Sequence, residues 1–460
     1  MPGTPTIRDE LASLARLAVP LATANAGQAL MGVVDTAVCG RAGAVVLAGT
    51  GLGNVLFLAL AVPGMGLMMG LDPMLSQSFG AGDARTARRL LWQGAWLALA
   101  AGAVLALPCA LAALALRPLG IDDAVATQAS HFLWVRAPSL PALLLFVGLK
   151  SYLQSLGRTR AVVIATVVGN VVNLAAVILF VFGGAALPAW TGPLRSVPAM
   201  GSGGAALATS LAVLFQAAVL ALAVRAIEVT GGPAGLRRPS RVDLRQAVRI
   251  GTPVALHTGA EVGVFALVGF LAGRMGRVPL SAHQIAIALA SFTFTVALGI
   301  GQAGAVRVGW AVGRRDGVAA RHAGLIAFGA GACFMALSGL AFLLFPTGLA
   351  RLMTDDPGVL AATAPLLVVT AVFQVSDGVQ AVGAGVLRGA GDTRFTFAAN
   401  MVGHWAVGLP IALVLGSVAG LGVTGLWWGL CIGLAAVAVA LLLRFLRLSA
   451  REIAPLRLGG

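Results

Sequence analysis

Charge is what this chain has least of. Only 10% of its 460 residues are Asp, Glu, Lys or Arg, while 59% are apolar and the mean hydropathy is +0.95. Soluble domains carry about a quarter charged residues, so a soluble fold of this size is excluded and a polytopic membrane protein is implied. There is one tyrosine and one lysine, Lys150; the thirty arginines beside it read as compositional bias and carry no mechanism. The four cysteines, Cys39, Cys109, Cys333 and Cys431, form no CxxC and sit in or beside apolar runs, where they act as small hydrophobes. The chain has no P-loop, no GxSxG and no dinucleotide fingerprint after a strand, which excludes a soluble enzyme and ATP-driven transport within this chain. Its apolar runs are continuous rather than alternating, which argues against an outer-membrane barrel. No cleavable signal peptide is evident: the first sixteen residues are polar, and the apolar run after them is too long for an h-region and contains Asp35.

What is present is a series of twelve runs long enough to span a bilayer, near 11–39, 46–71, 88–116, 127–156, 161–183, 200–226, 246–272, 281–308, 321–347, 358–386, 394–417 and 420–446. With both termini cytoplasmic, 24 of the 31 basic residues fall on the inner side, which fixes the topology by the positive-inside rule. The same asymmetry accounts for the net charge of +15 without a nucleic-acid partner. The long polar connection 228–245, EVTGGPAGLRRPSRVDLR, reads as a cytoplasmic linker between residues 1–227 and 246–460.

The two halves repeat. Pro20 corresponds to Pro253, Gly40-Arg41 to Gly273-Arg274, and Gly80 and Asp83 to Gly313 and Asp316, each at an offset of 233; LQSLGRTR at Leu153 corresponds to LRGAGDTR at Leu387 at 234. Six spans per half is an even number, so both halves enter the membrane in the same sense. The expected architecture is all-α, with two six-helix lobes related by a pseudo-two-fold axis along the membrane normal.

Three acids lie inside spans: Asp35, Glu261 and Asp377. Glu261 is 12 residues from Arg249 and 13 from Arg274, so helical rise puts it roughly 18–20 Å from either end. Holding a charge at that depth costs about 2.5–3.5 kcal/mol on insertion scales, so such an acid is a functional-site candidate by default. Asp377 is similarly deep in the same half, and Asp35 is shallower in the other. Carboxyl groups kept out of water favour the neutral form, and a neighbouring carboxylate reinforces this, so Glu261 and Asp377 are candidates to take up a proton or share a Na⁺. A structural carboxylate bonded to a neighbouring helix is the plainer alternative, strongest for Asp35, which lies near a helix end and Arg41.

Asp72, Asp83, Asp316 and Asp392 read as helix caps or turn formers, and Asp122, Asp123, Asp355 and Asp356 as solvated outer-loop residues. Gln28, Asn54, Asn170, Asn173, His257, Gln284, Gln302, Gln374, Gln380, Asn400 and His404 are polar residues within spans, each individually more often interhelical glue than ligand. His257, four residues before Glu261, shares its helix face and is the best candidate for tuning it.

Together these segments resemble the multidrug and toxic compound extrusion (MATE) family, in its NorM-like branch. The likeness is carried by Pro20, Gln28 and Asp35, by LDPMLSQSFGAGD and LQSLGRTR, and by PVALHTGAEVGVFALVGFLAGRMG, LSAHQIAIALASFTF, RVGWAVGRRD and SDGVQAVGAGVLRGAGDTR. The resemblance implies export of amphipathic, often cationic compounds against H⁺ or Na⁺, with no cofactor. The cation site would be on Glu261 and Asp377, which would also be the Na⁺ ligands if sodium is the coupling ion. Asp35 would be implicated in coupling and Asn173 would match a fifth-helix asparagine. Gln28, Asn173, His257, Gln284, Phe373 and Gln374 are the candidates for the substrate cavity. Two departures stand out: Phe373 replaces a frequent tyrosine one turn before Asp377, removing an oxygen ligand, and Val177 replaces a polar residue of the fifth helix. The expected protein is a monomeric secondary antiporter of the inner membrane, surrounded by lipid and taking small drug-like substrates. The rivals are a flippase for lipid-linked saccharides, which would need cationic side chains such as Lys150 and Arg136 in its cavity, and a membrane-embedded enzyme.

Overall fold

The computed structural model describes residues 7–185, 188–228 and 237–457. Among them there are helices and no strands, and twelve helical stretches are long and apolar enough to cross a membrane. The first half contains α1 (Ile7–Ala42), α2 (Ala44–Met69) continuing into α3 (Leu71–Gly80), α4 (Ala84–Ala115), α5 (Asp123–Arg136) continuing into α6 (Leu140–Ser155), α7 (Arg160–Phe182) and α8 (Gly201–Arg225). The second half contains α9 (Arg241–Arg274), α10 (Arg277–Gly313), α11 (Gly317–Leu344), the short α12 (Pro346–Arg351) and α13 (Pro357–Gly389). An eleventh span follows, built from α14 (Thr393–Asn400), a π-helical stretch Met401–Gly408, α15 (Leu409–Leu413) and a second π-helical stretch Val414–Val418; α16 (Gly422–Leu448) is the twelfth.

The repeat is visible in how the helices start. Asp83 and Asp316 cap α4 and α11 by accepting the backbone N–H of Thr86 and Ala319, at 2.8 and 2.9 Å. Asp122 and Asp356, read from sequence as solvated loop residues, are N-caps too, each accepting two backbone N–H groups of α5 and α13. Two of the acids read as caps have other work: Asp72 lies 3.1 Å from Arg388, and Asp392 lies 2.7 Å from Arg444. The linker is shorter than its polar sequence suggests. Residues 241–245 are already helical, because Ser240 caps α9 at the N–H of Asp243. Residues 237–240 lie on α4, where Gln93 and Trp96 bond the carbonyls of Arg238 and Arg237 at 2.8 Å; residues 229–236 lie outside the described residues.

Contacts between the halves come in reciprocal pairs, as a two-fold relation demands. A Cβ on Gly80 would stand 2.3 Å from the carbonyl of Trp310, and one on Gly313 would stand 2.1 Å from that of Gln77; 77 and 310 are repeat positions, as are 80 and 313. Ala22 meets Gly299 and, at the equivalent positions, Ala255 meets Gly66. Trp310 Nε1 donates to the Ser155 carbonyl at 2.7 Å, and Gln77 Nε2 donates to that of Gly389 at 3.0 Å. The start of each half's first helix crosses over: Leu14, Leu17 and Leu21 of α1 join a core with α10, α11, α13 and α16, while Ala247 and Ile250 of α9 join the core of the first half.

These contacts form a seam at the face that carries both described chain ends. Away from it, the helix faces that meet in the seam continue as exposed stripes. On α1 the face of Ala22 continues through Ala29, Val33 and Gly40, and on α10 the face of Gly299 continues through Phe292 and Ala288. On α2 and α9 the stripes are Ala59, Val55 and Ala48, and Val262 and Ala266. Because one helical face is closed at one end and open at the other, the lobes diverge and a largely apolar cleft opens toward the face opposite the chain ends.

Candidate functional site

Glu261 and Asp35 both point away from the cleft stripe of their own helix, into the body of their own lobe. This follows from helical geometry, since each is about 120–140° round the helix from the residue that meets the opposite half. The contacts agree. Asp35 is half-buried and accepts hydrogen bonds at both oxygens, from Asn173 Nδ2 at 2.6 Å on α7 and from the Thr209 hydroxyl at 2.7 Å on α8. Thr209 is a partner that sequence reading missed, and Arg41 takes no part. Gln28, two turns earlier, donates to Gln216 Oε1 at 3.0 Å and so braces α1 against α8.

The second lobe gathers more titratable groups. His257 Nε2 is 3.2 Å from Glu261 Oε2, one turn along α9, and both side chains are largely buried. Asp377 on α13 and His404 on the π-helical stretch are within Coulombic reach of Glu261, and Gln380 is close enough to hydrogen-bond it. Gln380 also donates to Asn400 at 3.5 Å. Trp405 Nε1 ties the stretch to α9 at the Ala260 carbonyl, 3.2 Å away and next to the acid. A π-helical insertion displaces side chains from the α-helical register and recurs at functional sites. Here it is accompanied by Pro410, which cannot donate a backbone hydrogen bond, and by Gly403 and Gly408, which admit the backbone of α16 at Gly429 and Gly433.

Several atoms in this cluster are underused. Nδ1 of His257, Oε1 of Gln380 and the ring of His404, apart from its reach to the Asn400 backbone, are buried with no hydrogen-bond partner among the described residues, as are Asn173 Oδ1 and Gln216 Nε2 in the first lobe. Buried polar groups are normally satisfied, and an unmet one costs about 1–3 kcal/mol, so a group of them around one carboxylate calls for an explanation. Among the described residues no three His, Cys, Asp or Glu side chains converge to hold a metal ion; a Na⁺ here would have to draw on amide and carbonyl oxygens.

The structure separates the candidates for the substrate cavity. Gln284 is exposed, on the outer part of α10 that borders the cleft. Phe373 does not face the cavity: it is buried in an aromatic core against Phe265 and Trp427, with ring centroids 6.1 and 5.4 Å away. Gln374 is fully buried too, donating to Thr293 at 2.8 Å and Ser338 at 3.2 Å, a polar clasp between α10, α11 and α13. Gln28, Asn173 and His257 bond within the interiors of their lobes as described, and the exposed stripes between the lobes carry Val33, Val55, Val262 and Phe292.

The MatE family model matches residues 20–179 and 253–414, two stretches that begin at the repeat-related Pro20 and Pro253. The chain belongs to the MatE family. It is therefore a transporter and not an enzyme, a multi-pass membrane protein built on the fold expected from the repeat. Multidrug resistance protein NorM of Burkholderia vietnamiensis is 35% identical over 457 residues, covering 96% of this chain and 95% of the relative. Probable multidrug resistance protein NorM of Bradyrhizobium diazoefficiens is 35% identical over 466 residues, covering 97% and 95%. Among solved structures, a MOP superfamily transporter from Pyrococcus furiosus superposes with a TM-score of 0.85 at 20% identity, covering 98% of this chain and 99% of that one. The Vibrio cholerae MATE transporter VcmN in its bent form gives 0.82 at 20%, covering 97% and 98%. At those identities the two structures speak for the fold alone.

Proposed function

We propose that this MatE-family protein is a multidrug efflux antiporter of the bacterial inner membrane, with both termini cytoplasmic, exporting amphipathic and cationic organic compounds in exchange for a cation bound at Glu261 and Asp377. The observation that carries this is the buried cluster of Glu261, His257, Asp377, Gln380 and His404 inside one lobe, with unmet polar atoms around a carboxylate at mid-span. The apolar cleft suits greasy substrates, and the relatives' names as multidrug resistance proteins agree.

H⁺ is the coupling ion we favour over Na⁺. Two imidazoles surround the acid, whereas Na⁺ prefers a shell of oxygens, and Phe373, with no oxygen to offer, is turned into the aromatic core. In the cycle, the state open away from the chain ends takes up H⁺ and releases substrate; the lobes then rock, and loss of the proton restores the negative charge that favours the next cationic substrate. Coupling requires that ion and substrate bind the two states with different affinity. Asp35, with Asn173 and Thr209, acts on substrate response from the other lobe.

The flippase reading is not favoured. Arg136 is buried with its guanidinium 4.6 Å from the Phe57 ring and its Nη1 donating to both Ser139 and Ser210, and Lys150 is bonded to Asn25, so neither is presented along the exposed stripes. The test is ethidium or fluoroquinolone efflux in proteoliposomes under an imposed pH gradient or Na⁺ gradient. Efflux driven by the pH gradient alone supports the proposal, efflux driven only by Na⁺ removes the proton assignment, and no efflux of either compound under either gradient removes the multidrug reading.

A further inference from the structure

Beneath the cleft, the most buried of three ion pairs that join the halves, beside Arg307 with Glu10 and Arg89 with Asp243, crosses the seam. Asp72, at the start of α3, is held within its own half by Gln154 Nε2 at 3.2 Å and by the Ser151 hydroxyl, both on α6. Its other oxygen is 3.1 Å from Arg388 Nε, at the end of α13 in the opposite half, and the two side chains are only 3% and 7% exposed. Lys150 is one turn before Gln154 on α6. Its Nζ donates to Asn25 Oδ1 on α1 at 3.0 Å, and it is within Coulombic reach of both Asp72 and Arg388.

If the lobes part at this seam, Arg388 leaves with the second half while Asp72 stays. A carboxylate left in such a site without its cation is strongly disfavoured. Lys150 is a cation on the same half, on the helix face of Gln154 one turn away and next in sequence to Ser151, with a flexible stem and three donors. Today it faces the like charge of Arg388; with Arg388 gone, that repulsion is gone too.

We propose that Asp72 exchanges partners during the transport cycle, pairing with Arg388 while the seam is closed and with Lys150 once it opens, so that Lys150 is a positioning residue that lets the seam come apart. This rests on the alternating-access reading above. It assigns a role to the single lysine of the chain, and it predicts opposite effects for the two cations. Removing Arg388 weakens only the closed state, and removing Lys150 weakens only the open one.

The experiment is electron–electron distance measurement on the full chain in lipid nanodiscs, with spin labels at Arg85→Cys and Val318→Cys in a Cys333→Ser background. The two label sites are exposed, repeat-related and on opposite halves at the seam face. Lys150→Met is expected to shift the long-to-short distance ratio about tenfold toward short and to slow efflux by a similar factor, with substrate affinity retained. Arg388→Gln is expected to shift the ratio toward long, and Asp72→Asn combined with Lys150→Met to return it to within about twofold of the unmutated value. Arg388→Lys, which keeps the charge, should stay near the unmutated ratio; if Arg388→Gln is not monodisperse, Lys150→Met alone decides, a shift toward long or no shift being the overturning result. The proposal is overturned if Lys150→Met leaves the ratio unchanged or shifts it the same way as Arg388→Gln. A single distance in the unmutated protein under every pH, Na⁺ and substrate condition overturns the alternating-access reading itself.

Discussion

The two lobes place corresponding side chains at corresponding points and give them different chemistry. Gln28 is the repeat position of Glu261, Ala24 that of His257 and Asn170 that of His404. In the first lobe these are neutral and locally satisfied: Gln28 bonds Gln216, and the Asn170 amide bonds the carbonyls of Gly27 and Thr166. In the second lobe the same three positions bear an acid and two imidazoles, with unmet polar atoms between them. The first lobe's acid, Asp35, is where the second has the buried Val268, and each of its oxygens is already bonded. Both lobes hold unmet polar atoms, Asn173 Oδ1 and Gln216 Nε2 in the first, but the second gathers two acids and two imidazoles around one point, which is why the proposal places coupling there.

The largest test of that contrast is Glu261→Gln against Gln28→Leu. The first should lower gradient-driven efflux about 100-fold, a loss of roughly 2.7 kcal/mol, while the second should change it less than about twofold. Equal losses would put both lobes in the coupling path. Asp377→Asn should cost about tenfold in the same proteoliposome assay, since it removes a second acid but leaves Glu261 with His257. His404→Asn, which installs the first lobe's residue, should lower efflux about threefold and move the pH of half-maximal transport, whereas Asn170→His should move neither by as much. The smallest effect is on stability. A Cβ at Gly429 would stand 2.2 Å from the Ala412 nitrogen, so Gly429→Val should destabilise the second lobe by about 1–3 kcal/mol, read as a lower melting temperature in detergent.

The span count, the repeat and the deep acids were legible because each leaves a one-dimensional mark: run length, a constant offset, or a lone charge in an apolar stretch. His404, Gln380 and Asn400 were visible only as scattered polar residues. They became a site because α9, α13 and the widened eleventh span converge, and no periodicity announces a π-helical insertion. The cleft wall was illegible for a different reason. Val33, Val55, Val262 and Phe292 are exposed apolar residues on spanning helices, and in sequence such a residue facing a cleft is indistinguishable from one facing lipid. Phe373 and Gln374 are one turn before Asp377 and share its helix face, but what packs against that face, Phe265 and Trp427 on one and Thr293 and Ser338 on the other, comes from other helices and leaves no mark in the local sequence.

The closing bonds of the seam end on the final residues of two helices, Ser155 of α6 and Gly389 of α13, whose carbonyls have no further turn of their own helix to serve. When the lobes separate, those oxygens and the indole and amide that met them need new partners, and the solvent entering the gap can supply them. In the proposed cycle, switching would therefore draw water molecules into the protein on one side as it expels them on the other. The balance between the two shapes should then respond to osmotic stress even with no ion gradient and no drug present.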